Sequence, residues 1–215
     1  MEAVVLPAVL AGVVGLALGA PLTLLAQRLL RTRVRLGWAV SLAAGASAAT
    51  LFVFLTIGFG LSPELPPYLM LAAASVVLSI VDLAEKRLPN TLVLGTMVLL
   101  AALLLVAAAL GHNWGAALGA LLGGAAFFGV YLVLALLSPG AVGMGDVKLA
   151  AVIGLGLGYL GWSAWLVGLV AGFFVGSAVS LLALGLRRVT LHGSLPFGPS
   201  MLAGAYVAIL LHALS

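Results

Sequence analysis

The sequence predicts an all-α membrane protein: a polytopic bundle of about eight transmembrane helices that forms one domain over residues 1–215. Hydrophobic residues make up 65% of the chain and charged residues 7%, whereas a soluble domain carries roughly 25% charged residues. So few charges would not cover the surface of a soluble fold of this size. Apolar segments of about 20 residues, the length that crosses a bilayer, also recur along the whole chain.

The first apolar segment indicates a spanning helix with its N-terminus outside. Its positive charges follow the apolar run, and the run is longer than the hydrophobic region of a secretory signal. The predicted spans lie at about 3–27, 37–60, 67–84, 91–110, 115–137, 147–160, 162–186 and 198–214. The sixth is short and glycine-rich. The stretches "LSPELPP", "RLPN" and "GHNWG" separate successive spans, because Pro and Gly clusters stop or bend helices.

The basic residues support this topology, because all nine lie on one side of the membrane when the N-terminus is outside. They are Arg28, Arg31, Arg33, Arg35, Lys86, Arg87, Lys148, Arg187 and Arg188. Cytoplasmic loops carry the Lys/Arg excess, and Trp114 and Trp162 fall at the opposite interface. We therefore predict a multi-pass protein of the inner (plasma) membrane with both termini outside. The basic clusters are topology signals and do not indicate nucleic-acid binding.

The chain contains two aspartates, Asp82 and Asp146, and the topology puts both at cytoplasmic helix ends. An alternative gives each a structural role: Asp146 caps a helix that begins at Val147, and Asp82 pairs with Lys86 one turn later. Because acids are costly in membrane segments, two aspartates at the same depth and face favour one shared site.

A close pair of carboxylates has the chemistry of an aspartic protease. Two such groups share one proton, so that one activates water as a base and the other protonates the peptide as an acid. Gly143 and Gly145 let the backbone approach an extended substrate. Lys148 either biases the ionisation of Asp146 or extends to lipid headgroups.

Three ordered motifs resemble the type IV prepilin peptidases, which are membrane aspartyl proteases with a GxGD signature. The motifs are "DLAEKRLPN", "GMGDVKLAAVIGLGLG" and "SLPFGPSMLAGA". The resemblance covers residues 67–214 and is weak over 1–66. It implies that Asp82 and Asp146 are catalytic. The residues that it places around them, for substrate binding or support, are Pro89, Gly143, Gly145, Lys148, Pro196, Phe197, Gly198 and Pro199.

The resemblance also implies a substrate class. Members cut the basic leader of prepilin-like or pseudopilin-like precursors at the cytoplasmic face, after a glycine that precedes an apolar helix. No cofactor and no metal are implied for proteolysis, and the partners are the precursor and membrane lipid. Long members carry a Cys-based zinc insert after the first helix. Here the loop "RLLRTRVRLG" is short and cysteine is absent, which leaves N-methyltransferase activity doubtful.

Other functions remain open from the residues alone. In a proton-coupled transporter the acids would relay protons and the sixth span would be a broken helix. A non-catalytic subunit of a pilus or secretion assembly would keep the fold, and a broader intramembrane protease would share the acid signature. Glu85 and His192 are weaker site candidates, and the dispersed histidines predict no metal site.

Overall fold

A computed structural model describes residues 2–32, 35–137, 143–185 and 196–213, and this part of the chain is built from helices without a strand. Arg33, Arg187, Arg188 and His192 lie outside the described residues. The helices are α1 (Glu2–Ala17), α2 (Gly19–Leu29), α3 (Trp38–Phe59), α4 (Leu65–Glu85), α5 (Asn90–Leu110), α6 (Trp114–Leu137), α7 (Met144–Leu160), α8 (Trp162–Gly185) and α9 (Gly198–Ala213). The predicted all-α polytopic bundle is confirmed.

The first predicted span, 3–27, is two helices that meet at Leu18 with a bend of 41°. Glycines on both sides of the bend press against α3. A Cβ at Gly15 would lie 2.6 Å from the Cα of Ala49, and one at Gly19 would lie 2.8 Å from the Cα of Gly45. The bend therefore accompanies a close helix contact that only small residues allow.

Every predicted span falls on a helix, but fewer than eight of these helices are long enough to cross a bilayer. Among the described residues, five helices are long and apolar enough to cross a bilayer, or six if α1 and α2 form one span. Helices α7 and α9 contain 17 and 16 residues. At 1.5 Å per residue they measure about 24–26 Å, which is shorter than the roughly 30 Å hydrocarbon core.

Helix α7 is the central helix of the bundle. Eleven of its 17 residues are buried, and it contacts α5, α6, α8 and α9. Its glycines let α6 approach backbone to backbone: a Cβ at Gly119 would lie 2.6 Å from the Gly158 carbonyl oxygen, and one at Gly123 would lie 2.7 Å from that of Gly154. Small residues spaced four apart give this contact in lipid, where packing drives helix association.

Gly123→Leu is expected to destabilise the bundle, because the added side chain would collide with the α7 backbone. Overpacking of this kind typically costs about 1–3 kcal/mol. Gly129→Leu on the same helix is the matched control, since nothing lies within 4 Å of a Cβ there. Thermal unfolding in detergent should show a lower midpoint for Gly123→Leu alone. Equal midpoints for the two variants would contradict the tight α6–α7 contact.

One end of the bundle, which we call the basic end, carries the C-termini of α2 and α4 and the N-termini of α7 and α9. The Arg87 guanidinium donates from Nη2 to the Leu29 carbonyl oxygen at 2.9 Å, which joins the end of α2 to the turn after α4. The described basic residues all lie in or beside these helix ends and loops: Arg28, Arg31, Arg35, Lys86, Arg87 and Lys148. That this end faces the cytoplasm is a prediction from charge alone.

Candidate active site

Asp82 lies in the last turn of α4, where its side chain is 3% exposed. Its Oδ2 accepts a hydrogen bond from the backbone N–H of Gly198, the first residue of α9, at 3.0 Å. The first N–H groups of a helix have no partner within the helix, so a carboxylate is a natural acceptor there. A Cβ at position 198 would lie 2.8 Å from the same oxygen. Glycine is therefore the residue that fits this contact.

The turn after α4 reverses the chain through the "RLPN" motif. Lys86 has a left-handed backbone with φ 52° and ends the helix. Pro89 is extended and precedes the first residue of α5. Because proline fixes φ and removes an N–H, it suits this position immediately before a helix. The motif thus holds Leu88 and Asn90 at the basic end, facing the start of α7.

Asp146 lies at the start of α7, although not at the position expected for a cap. The helix begins at Met144, three residues before the expected Val147, and Gly143 is its N-cap residue. The Gly143 N–H donates to Asp146 Oδ2 at 3.2 Å. Asp146 thus supports the helix start from its third residue, as in a capping box. Within the described residues, the remaining oxygens of Asp82 and Asp146 make no hydrogen bond.

Contacts between the two motifs join the segments that carry the two aspartates. A Cβ at Gly145 would lie 3.1 Å from the Leu88 Cβ, so the glycine lets α7 pack against the "RLPN" turn. Lys148 donates from Nζ to Asn90 Oδ1 at 2.9 Å. The ammonium therefore ties α7 to α5 instead of extending to headgroups. Asp82 in the last turn of α4 and Asp146 in the first turn of α7 thus lie on helix ends that this junction joins.

The "PFGP" motif forms the third side of the site. Pro196 and Phe197 are half-buried and lead into α9, and Pro199 lies in its first turn, where proline costs no helical hydrogen bond. The Phe197 ring packs at 6.4 Å from the ring of Tyr131 and at 6.1 Å from that of Phe173. These contacts fix the segment whose next residue, Gly198, binds Asp82.

Tyr131 on α6 is a residue at this site that the sequence analysis does not identify. Its side chain is 1% exposed, and its ring packs against the rings of Phe173 and Phe197. The available signal is a lone phenol in the apolar stretch "GVYLVLALL". A polar group inside a membrane helix is a functional candidate, but tyrosine is also an ordinary core residue.

Glu85 is close to Asp82 in sequence but belongs to a separate network. Its Oε1 accepts from the N–H and the hydroxyl of Thr32 at 2.8 and 2.9 Å, and its Oε2 pairs with Arg87 Nε at 2.6 Å. Glu85 thus holds the loop after α2 against the end of α4. The described part of the chain contains no group of three His, Asp or Glu side chains able to hold a metal ion.

Comparison with known proteins shows which family the chain belongs to. The model of the type IV leader peptidase family matches residues 69–181, a range that contains Asp82 and Asp146 but ends before the "PFGP" motif. The chain is also similar to a prepilin leader peptidase/N-methyltransferase of Bacillus subtilis (strain 168), with 33% identity over 163 residues. That alignment covers 75% of this chain and 62% of the relative. No solved structure matches the chain significantly.

Proposed function

Because the chain belongs to the type IV leader peptidase family, we propose that it is a membrane aspartic endopeptidase that removes the leaders of prepilin-like or pseudopilin-like precursors. One observation carries the proposal: Asp82 in the last turn of α4 and Asp146 in the first turn of α7 lie at the same end of the bundle, where Gly145 packs against Leu88 in the turn after α4. Each is held by a backbone N–H through one oxygen, from Gly198 and from Gly143. This leaves one oxygen of each carboxylate available to substrate and water.

The reaction is hydrolysis of one peptide bond without a covalent enzyme intermediate. One carboxylate is ionised and accepts a proton from water, whose oxygen attacks the carbonyl carbon. The other carboxyl is protonated and donates its proton to the carbonyl oxygen. When the tetrahedral gem-diol collapses, the C–N bond breaks and the nitrogen leaves as an amine with the proton that the first carboxyl took from water. One gem-diol hydroxyl returns its proton to the second carboxylate as the C=O bond re-forms, which restores the starting state of the pair. A carboxylate pair that shares one proton supplies both functions.

The surroundings of the pair favour a substrate that lies partly in lipid. The site is at the basic end, which the Lys/Arg excess assigns to the cytoplasm, while apolar helices surround its other sides. A precursor with a basic leader in the cytoplasm and an apolar helix in the membrane would present its junction at this depth. We propose cleavage after the glycine at that junction, in the inner membrane.

We propose peptidase activity alone for this chain. The name of the relative from Bacillus subtilis includes N-methyltransferase, but this chain contains no cysteine. Its α2 and α3 are separated only by residues 30–37. A Cys-based zinc element has neither ligands nor room in that loop.

The proposal is tested with membranes that contain the wild-type chain and a precursor with a basic leader, a glycine and an apolar helix. The matched precursor has leucine in place of that glycine. We expect loss of the leader from the first precursor only, seen as a gel shift and confirmed by the new N-terminus. An uncut first precursor in the presence of correctly inserted protein would contradict the proposal.

Glu85→Gln is expected to keep cleavage activity, because Glu85 binds Thr32 and Arg87 and belongs to a separate network. Its rate should fall by less than about 10²-fold, the smallest loss typical of a general acid or base. Thr32→Val removes one bond of the same network and is the matched variant. Initial rates for both variants check this prediction. A Glu85→Gln protein that is folded but inactive would make Glu85 part of the catalytic machinery.

A further inference from the structure

Two hydrogen bonds join α4 to α9 at different depths of the bundle. At the basic end, the Gly198 N–H donates to Asp82 Oδ2 at 3.0 Å. Deeper in the bundle, the hydroxyl oxygens of Ser75 and Tyr206 lie 2.9 Å apart, and both side chains are buried, at 3% and 7% exposure. The first bond holds one acid of the proposed pair, whereas the second has no part in the chemistry described above.

The Tyr206 hydroxyl is the donor in the deeper bond. Ser75 Oγ already donates to the Leu71 carbonyl oxygen of its own helix at 2.7 Å, and a serine hydroxyl carries a single proton. Ser75 therefore accepts from Tyr206. Because the bilayer core supplies no water, a shift of α9 that breaks this bond would leave the phenol unpaired, which is costly for a buried polar group. The bond thus favours one position of α9 against α4.

The two bonds have matching spacings along the two helices. Asp82 follows Ser75 by seven residues on α4, and Tyr206 follows Gly198 by eight residues on α9. At 1.5 Å per residue, the bonds are about 10 Å apart along α4 and about 12 Å apart along α9. Because the later residue of α4 pairs with the earlier residue of α9, the helices run antiparallel. A shift of α9 along α4 would therefore break both bonds together.

The rest of the α9 surface between these bonds does little to define this register. Its buried residues are small or apolar: Ser200, Met201, Leu202, Gly204 and Ala205. Apolar side chains pack in several neighbouring registers, whereas a buried polar group that is satisfied in one register selects it, as a buried Asn does in a coiled coil. Hydrogen bonds between helices have the same use in lipid. The Ser75–Tyr206 bond is therefore suited to hold α9 where the Gly198 N–H reaches Asp82.

Resting on the proposed function, we propose that Tyr206 is a positioning residue for the catalytic pair. Its hydrogen bond to Ser75 sets the register of α9 on α4, and this register holds the Gly198 N–H at Asp82. Tyr206 lies about two helical turns from Gly198, so it acts on the reaction through that N–H. Without the bond, α9 is free to shift and the Asp82 carboxylate loses the contact that orients it toward water and the peptide.

The test measures kcat, KM and thermal midpoint in leader cleavage for wild type, Tyr206→Phe and Tyr68→Phe. Tyr68 is the matched control, because it is a buried phenol of α4 that donates to the Gly156 carbonyl oxygen on α7 at 2.8 Å, far from the acids. We expect similar midpoints for the two variants. In Tyr206→Phe alone, kcat should fall by roughly 10-fold with KM unchanged, since small displacements of a catalytic group are costly. Ser75→Ala removes the acceptor of the same bond and should give the same fall.

A double variant shows whether Tyr206 acts through Gly198. Once Gly198→Ala has separated the N–H from Asp82, adding Tyr206→Phe should lower kcat little further, because residues that act as one unit are not additive. Losses that multiply would overturn the role, and so would a kcat of Tyr206→Phe equal to that of Tyr68→Phe, or a change in KM alone. In each of these cases wild type still cleaves, so the proposed function stands. Wild type that leaves the precursor intact overturns the proposed function and, with it, this role.

Discussion

Asp82→Asn and Asp146→Asn are each expected to lower the rate of leader cleavage by about 10³-fold, within the range typical of general acid–base groups. Asparagine matches the size of aspartate, and its carbonyl oxygen still accepts the N–H of Gly198 or Gly143, which hold the two side chains at 3.0 and 3.2 Å. It does not ionise, so it neither takes a proton from water nor returns one to the leaving amine. The loss should therefore be chemical and not structural.

Initial rates, with thermal midpoints as the check on folding, measure this effect. The double variant is informative, because the rate losses from substituting residues that act as one unit are not additive. We expect Asp82→Asn/Asp146→Asn to be little slower than either single variant. Glu85→Gln serves as the control for removal of a nearby acid. A single Asn variant that retains a tenth or more of the wild-type rate would exclude the carboxylate pair as the catalytic centre.

Gly198→Ala is expected to lower the cleavage rate by about 10²-fold, the cost of displacing a catalytic group by roughly 1 Å. The added Cβ would lie 2.8 Å from Asp82 Oδ2, so the carboxylate and the N–H that holds it must separate. Asp82 is nearly enclosed, at 3% exposure, so its side chain has little room to move away from the added methyl group.

A matched variant separates this effect from a general cost of adding a methyl group. Gly95→Ala on α5 adds the same atom where nothing lies within 4 Å, and it should leave rate and midpoint unchanged. The kinetic measurement for both proteins is kcat, since a misplaced acid slows the chemical step. If Gly198→Ala cleaves as fast as Gly95→Ala, the N–H of Gly198 does not position Asp82.

The helical bundle and the position of both acids at helix ends were predictable because they depend on local signals. Span length follows from runs of apolar residues, and the sidedness of Asp82 and Asp146 follows from counting spans between basic clusters. The family motifs then supply the glycines and prolines around the acids. These features need no knowledge of which helix packs on which.

Features set by tertiary contacts were not predictable. The bend at Leu18 arises where Gly15 and Gly19 press on α3, a helix that lies beyond the next loop. Helix α7 begins at Met144 because Gly143 is its N-cap residue and Asp146 accepts a hydrogen bond from the Gly143 N–H. The sequence analysis started this span only at residue 147. The setting of Tyr131 depends on Phe173 and Phe197, which are distant in the chain.

The central claim is that this chain alone hydrolyses a prepilin-like leader with its aspartate pair. The most direct test reconstitutes purified wild type in liposomes with one precursor and weighs the products by mass spectrometry, with the Asp82→Asn/Asp146→Asn protein in parallel. Two fragments that meet at the junction glycine, with masses that sum to the precursor plus one water, are the expected result for wild type only. An intact precursor with wild type, or the same fragments with the double variant, would contradict the claim.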